Sequence, residues 1–195
     1  MKLIKEASGG NVTIVSLMAV IGLSMIFAFC VYLSNIYMTW SFLDCSLDAS
    51  ESTILGTSFQ MKLKSSEEPE REIAYKIASS FRSMGCDEQI VVWVYESKDS
   101  SLKDNVRAIS VTAQTTFPIN SFTNSGPIDI TCEKNTYLVP YSNTVVYKPS
   151  TSDAVSQYIF PANSSSATLQ NPSLQDCPAS LKEGIDKAIA TALEY

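Results

Sequence analysis

The chain has 195 residues, no histidine and a formal net charge of −6. That length holds one membrane segment and one modest globular domain. The missing histidine excludes Ser-His and Cys-His catalysis and the usual metal ligand, and the acidic balance leaves no basic stripe for phosphate, so nucleic acid is not an expected partner.

The first element in chain order is apolar. No charged residue occurs between Glu6 and Asp44. Residues 12–33 are the densest part, and roughly 20 such residues cover the hydrocarbon core of a bilayer. A cleavable secretory signal has a shorter apolar core, about 7–15 residues, followed by a small-residue site. No A-x-A site follows here. A retained transmembrane helix in a lipid bilayer is therefore expected, with a buried core helix as the alternative. Tyr32, Tyr37 and Trp40 suit an interfacial aromatic belt. Ser16, Gly22, Ser24 and Ala28 are small enough for close packing against another membrane helix.

The flanks set an orientation. Lys2 and Lys5 precede the apolar run, whereas Asp44, Asp48 and Glu51 follow it before the next basic residue, Lys62. The positive-inside rule then puts the N-terminus in the cytoplasm and residues 44 onward outside. Leu43, Leu47, Ser50 and Ile54 continue a helical spacing, and Gly56 is a plausible stop. An unbroken helix over 11–55 would be about 65 Å long; two helices with a kink at Ser34-Asn35 are the alternative. The expected organisation is a cytoplasmic leader over 1–10, a transmembrane helix with an extramembrane continuation over 11–56, and an exported α+β domain over 57–195.

Within that domain, Pro69 opens a helix with Glu67, Glu68 and Glu70 near its positive end. Ile73, Ile77, Phe81 and Met84 form its apolar stripe, and Gly85 ends it. Ile90 to Tyr95 reads as a central strand, apolar on both faces. A polar loop covers 96–105. Ile109, Val111 and Ala113 alternate with Ser110, Thr112 and Gln114, which predicts a strand with one wet face. A turn-rich stretch, 120–127, precedes a predicted hairpin: 128–132 and 137–139 around Glu133-Lys134-Asn135. Pro140 suits an edge, and 144–147 adds a further strand. Residues 149–178, rich in Ser, Thr, Asn and Pro, read as a surface loop. Ser180 and Glu183 make a capping box for a C-terminal helix, 179–195, with a stripe of Leu181, Ile185, Ala188, Ile189 and Leu193. The fold class is thus α+β: a long N-terminal transmembrane helix, then a small antiparallel sheet of three to five strands with packed helices.

Five cysteines are present. Cys30 falls in the membrane segment. Cys45, Cys86, Cys132 and Cys177 fall on the exported side, where four thiols can form two disulfides in three ways; Cys86–Cys132 with Cys45–Cys177 is the favoured set. A metal site is not expected, because no C-x-x-C occurs. No hydrolase, metalloprotease, phosphate-loop or calcium-loop spacing occurs either. The acids Glu67, Glu68, Glu70, Asp99, Asp104 and Asp129 stand in polar stretches. Neither catalysis nor a cofactor is expected.

Gly10-Asn11-Val12-Thr13, the apolar run and Leu43-Asp44 through Ala49-Ser50 together resemble the N-terminal module of TadE/TadG-like proteins. These are pseudopilin-like components of the Tad, or Flp, type IV pilus system. The resemblance covers about residues 8–56. It implies a pilin-like fold and a bacterial inner membrane. The exported domain would lie in the periplasm and could join a surface pilus. The implied partners are other pilin or pseudopilin subunits and the inner-membrane assembly platform. It also implies a possible leader-processing site at Gly10-Asn11. Peptidase-processed members carry glutamate at the fifth position after the cleavage glycine, where this chain has Val15. A free-standing, membrane-anchored periplasmic binding or sensory domain is the alternative.

Overall fold

The computed structural model describes residues 2–97, 106–117, 127–138, 154–173 and 175–193. The chain is α+β, a long apolar N-terminal helix followed by a small antiparallel sheet with helices. Two compact units divide it, Met1–Ser41 and Phe42–Tyr195.

Helix α1 spans Lys2–Ser52. It begins inside the expected leader and runs through Ser34-Asn35 without interruption. The first unit is made of this helix alone. Its last turns, from Phe42, belong to the second unit. Leu43, Leu47 and Ile54 are fully buried there, with Ser46 and Ser50 beside them, as the 3–4 spacing requires. Three hydroxyls close the end of the helix. Ser50 bonds Ser46 O, Ser52 bonds Ala49 O and Thr53 bonds Ser50 O. Gly56 does not mark a simple stop. It is the N-cap of a short helix α2, Thr57–Lys64, and its carbonyl accepts from the Phe59 and Gln60 amides.

Helix α3, Pro69–Ser83, starts on its proline with Glu70 and Glu72 in the first turn, where the helix dipole favours acids. Ile73, Ala74, Ile77, Ala78 and Phe81 are buried. Gly85 follows at φ 84, the left-handed conformation that ends helices and that glycine adopts without strain.

The sheet has five strands in the order β3-β2-β1-β4-β5. They are β1 Gln89–Ser97, β2 Val106–Phe117, β3 Ile128–Leu138, β4 Ala154–Phe160 and β5 Thr168–Gln170. Every pairing is antiparallel. β1 lies in the middle, and Ile90, Val92 and Val94 are fully buried. Helix α4, Ala179–Leu193, completes the domain.

The register separates the two faces. Val92 pairs with Val111 and Tyr158, and Val94 with Ile109. This face lies under α3 and the end of α1. The opposite face carries Trp93, Tyr95, Val106, Ala108 and Val155, which pack with Cys177, Leu181 and Ile185 of the α4 region. Of the expected wet face of β2, Gln114 is exposed and Thr112 half-buried, but Ser110 is fully buried where α4 covers the sheet.

Three further expectations change. Residues 133–135 are not a hairpin turn; β3 runs straight through them, pairing Thr112 with Glu133, Val111 with Lys134 and Ser110 with Asn135. Residues 149–178 are not one loop, since 154–160 form β4 beside the central strand and Phe160 is fully buried. Ser180 does not cap α4. Its hydroxyl bonds Glu133 on the α4 face of β3, while Pro178 O accepts from the Leu181 and Lys182 amides. Residues 144–147, Pro140 and most of 120–127 lie outside the described residues, as do the side chains of Ala188, Ile189 and Leu193.

Candidate functional site

In the first unit the surface of α1 is the site. Val12, Ile14, Val15, Leu17, Met18 and Val20 are all at least 59% exposed, and the same holds onward through Leu23, Met25, Ile26 and Phe27. In water this much apolar surface is costly, at roughly 25 cal/mol per Å². In lipid it costs nothing, provided the backbone and hydroxyls are satisfied within the helix. Three hydroxyls are bonded in this way: Ser24 donates to Val20 O at 2.8 Å and Thr39 to Asn35 O at 2.9 Å, and Ser16 bonds Val12 O. The helix is long and apolar enough to cross a membrane; a signal sequence near an N-terminus has the same character.

The four small residues do not form one stripe. At about 100° per residue, Ser16, Ser24 and Ala28 share an arc of about 120°, whereas Gly22 lies on the opposite side. A methyl group added at Gly22 would meet nothing within 4 Å. Gly10 and Asn11 lie within α1.

In the second unit two charged clusters stand out, and sequence reading missed both. Lys134 on β3 reaches back to the end of α1, to Asp44 Oδ1 at 2.9 Å and Asp48 Oδ1 at 3.2 Å. The Asp44 hydrogen bond, then that of Asp48, holds its amine above the ordinary value despite some burial. Arg107 on β2 is buried between Glu96 on β1 and Glu70 on α3. Its guanidinium bonds Glu96, and its Nε lies 3.7 Å from Glu70 Oε1. Burial pushes the Glu70 carboxyl up, and the adjacent Glu96 adds to this against the pull of Arg107. The signal for Arg107 was its place inside Val-Arg-Ala-Ile-Ser-Val. A charge on the buried face of such an alternation needs a buried partner.

None of the five cysteines forms a disulfide. Cys45 is exposed, about 200° around α1 from the buried Leu47. Cys177 is buried on the α4 face. The sheet lies between them, so a Cys45–Cys177 bridge within one chain would need a large backbone movement. Cys86 lies against Ser46, and Cys132 lies near Asp44 and Lys134. Burial raises Cys86, Cys132 and Cys177 above the ordinary thiol value, which keeps them protonated and unreactive.

An open cleft of about 610 Å³ runs along the start of α3, lined by Ser66, Glu67, Glu68, Arg71, Glu72 and Tyr75. Arg71 is committed within it, 2.9 Å from Glu68 and 5.4 Å above the Tyr75 ring. Among the described residues no group of three or more cysteines and carboxylates is placed to hold a metal ion. No protein-family model, curated protein or solved structure matches the chain.

Proposed function

We propose that this chain is a non-catalytic, membrane-anchored minor pilin-like subunit of a Tad-type pilus, acting in assembly or initiation. α1 anchors it in the inner membrane with the N-terminus in the cytoplasm. The sheet domain stands in the periplasm and contacts neighbouring subunits. The observation that carries this reading is the bare apolar surface of α1 from Val12 to Phe27, with its serine hydroxyls bonded inward. Such a surface needs lipid or other apolar helices around it. The arc of Ser16, Ser24 and Ala28 offers a close-packing face to a second helix. The Gly10-Asn11 resemblance supplies the pilus assignment.

The test is the intact mass and N-terminal sequence of the protein purified from its own membranes without reductant. A chain beginning at Met1 fits a permanent anchor in the assembly platform, and one beginning at Asn11 fits a processed subunit that enters a fibre. A soluble chain cut beyond residue 30 would mean a signal sequence and refute the anchor. Labelling Cys45 with a membrane-impermeant maleimide on intact spheroplasts checks orientation; a Cys45 that reacts only after lysis reverses it.

A further inference from the structure

Glu51 lies in the last turn of α1, on the side that packs on the sheet, and only 7% of it is exposed. Its Oε1 has no hydrogen-bond partner. The charged groups acting on it are Asp48, on the same helix, and Lys134, from β3. The Lys134 amine is already shared between Asp44 and Asp48. Cys132, two residues along β3 on the same face, holds its proton. A third carboxyl therefore sits at this joint without a cation of its own. Neutral, it is tolerated; ionised, it is an uncompensated buried charge beside two others.

We propose that Glu51 is a proton-operated latch: protonated, it lets the end of α1 lie on the sheet; ionised, it loosens that end. The reading rests on the α1–β3 joint alone and holds whether or not the chain belongs to a pilus. Burial, then Asp48, raises the Glu51 carboxyl from 4.5 to about 7, with Lys134 pulling the other way. A folded value above the unfolded one gives stability that is complete below 4.5 and lost as pH rises to about 7. Across that window the opening of the helix end grows by up to about tenfold per pH unit, at most roughly three hundredfold in all. The latch therefore responds between about pH 4.5 and 7, on the acid side of neutrality.

The test is amide hydrogen exchange on the full chain in detergent micelles, corrected for intrinsic pH dependence. The amides of residues 43–54 are compared with those of β1. In the wild type, protection of 43–54 should fall roughly a hundredfold between pH 5 and 8 while β1 holds. Glu51→Gln should flatten that profile. Asp48→Asn, at an exposed position, should move its midpoint to lower pH, since Asp48 raises Glu51. A flat wild-type profile overturns the latch, as does a Glu51→Gln protein with the wild-type slope. Should Glu51→Gln fail to fold, Asp48→Asn decides: an unmoved midpoint overturns the proposal.

Discussion

Phe160 measures how far β4 belongs to the core. Its ring is fully buried and meets Tyr75 of α3 edge-on, with centroids 5.2 Å apart and planes at 80°. Its backbone pairs with Ile90 on the central strand. Phe160→Ala removes the ring from a site fixed on one side by β1 and on the other by α3, so collapse around the gap is limited. The cost should be about 3–5 kcal/mol, part of it the aromatic contact. For a domain of this size that corresponds to a fall of about 8–16 °C in Tm. Thermal unfolding in detergent, followed by the fluorescence of Trp93 beside β4, reads it. A loss under about 0.5 kcal/mol, the size of an ordinary surface change, would refute the pairing and return 154–160 to a solvated connector.

The remaining predictions concern single contacts. Arg107→Met leaves the buried Glu96 and the half-buried Glu70 without this cation and should cost about 3–5 kcal/mol in chemical denaturation. The Glu70 carboxyl is already raised, so its share of stability falls as pH rises; the variant should lose more at pH 8 than at pH 5. Adding Glu96→Gln should recover part of the loss. A methyl on Gly184 would sit 3.6 Å from the Ala108 side chain, an ordinary contact, so Gly184→Ala should raise stability by about 0.5–1 kcal/mol through helix propensity. Gly184→Phe should cost about 1–3 kcal/mol by forcing α4 off β2. Gly85 has open space around it but φ 84, so Gly85→Ala should cost about 1 kcal/mol through backbone strain alone.

What could be read in the sequence was what neighbouring residues decide among themselves. The apolar spacing of 43–54 predicts the buried stripe of α1, and Pro69 with Gly85 brackets α3, because helix periodicity and capping are local. The central place of β1 was also legible, since a run apolar on both faces needs cover on both. What failed depended on partners far along the chain. Glu133-Lys134-Asn135 has turn chemistry in isolation, but Glu133 answers Ser180 and Lys134 answers Asp44 and Asp48. With the acids on one side and the hydroxyl on the other, an alternating strand places each polar side chain against its partner, and no turn is needed.

The same logic explains β4. Ala154-Val-Ser-Gln-Tyr-Ile-Phe lies in a chain segment whose composition argues for a loop. Yet Tyr158 and Phe160 fall two residues apart, so one strand turns both toward the α3 face, while Val155 takes the other face under α4. Composition averages over a window and loses that alternation. The period of two over seven residues is the signal, and Arg107, two strands earlier in the chain, carries its counterpart: a charge on the inward beat of such a period announces a buried acid elsewhere. Glu51 is the third case. It sits on the inward beat of the α1 stripe beside Leu47 and Ile54, where periodicity asks for an apolar residue. A leucine there would continue the apolar stripe and would not answer to pH. A carboxyl at that position makes the hold of α1 on the sheet depend on a proton, and that is why the joint, rather than the cleft along α3, is where a change of conditions should be felt first.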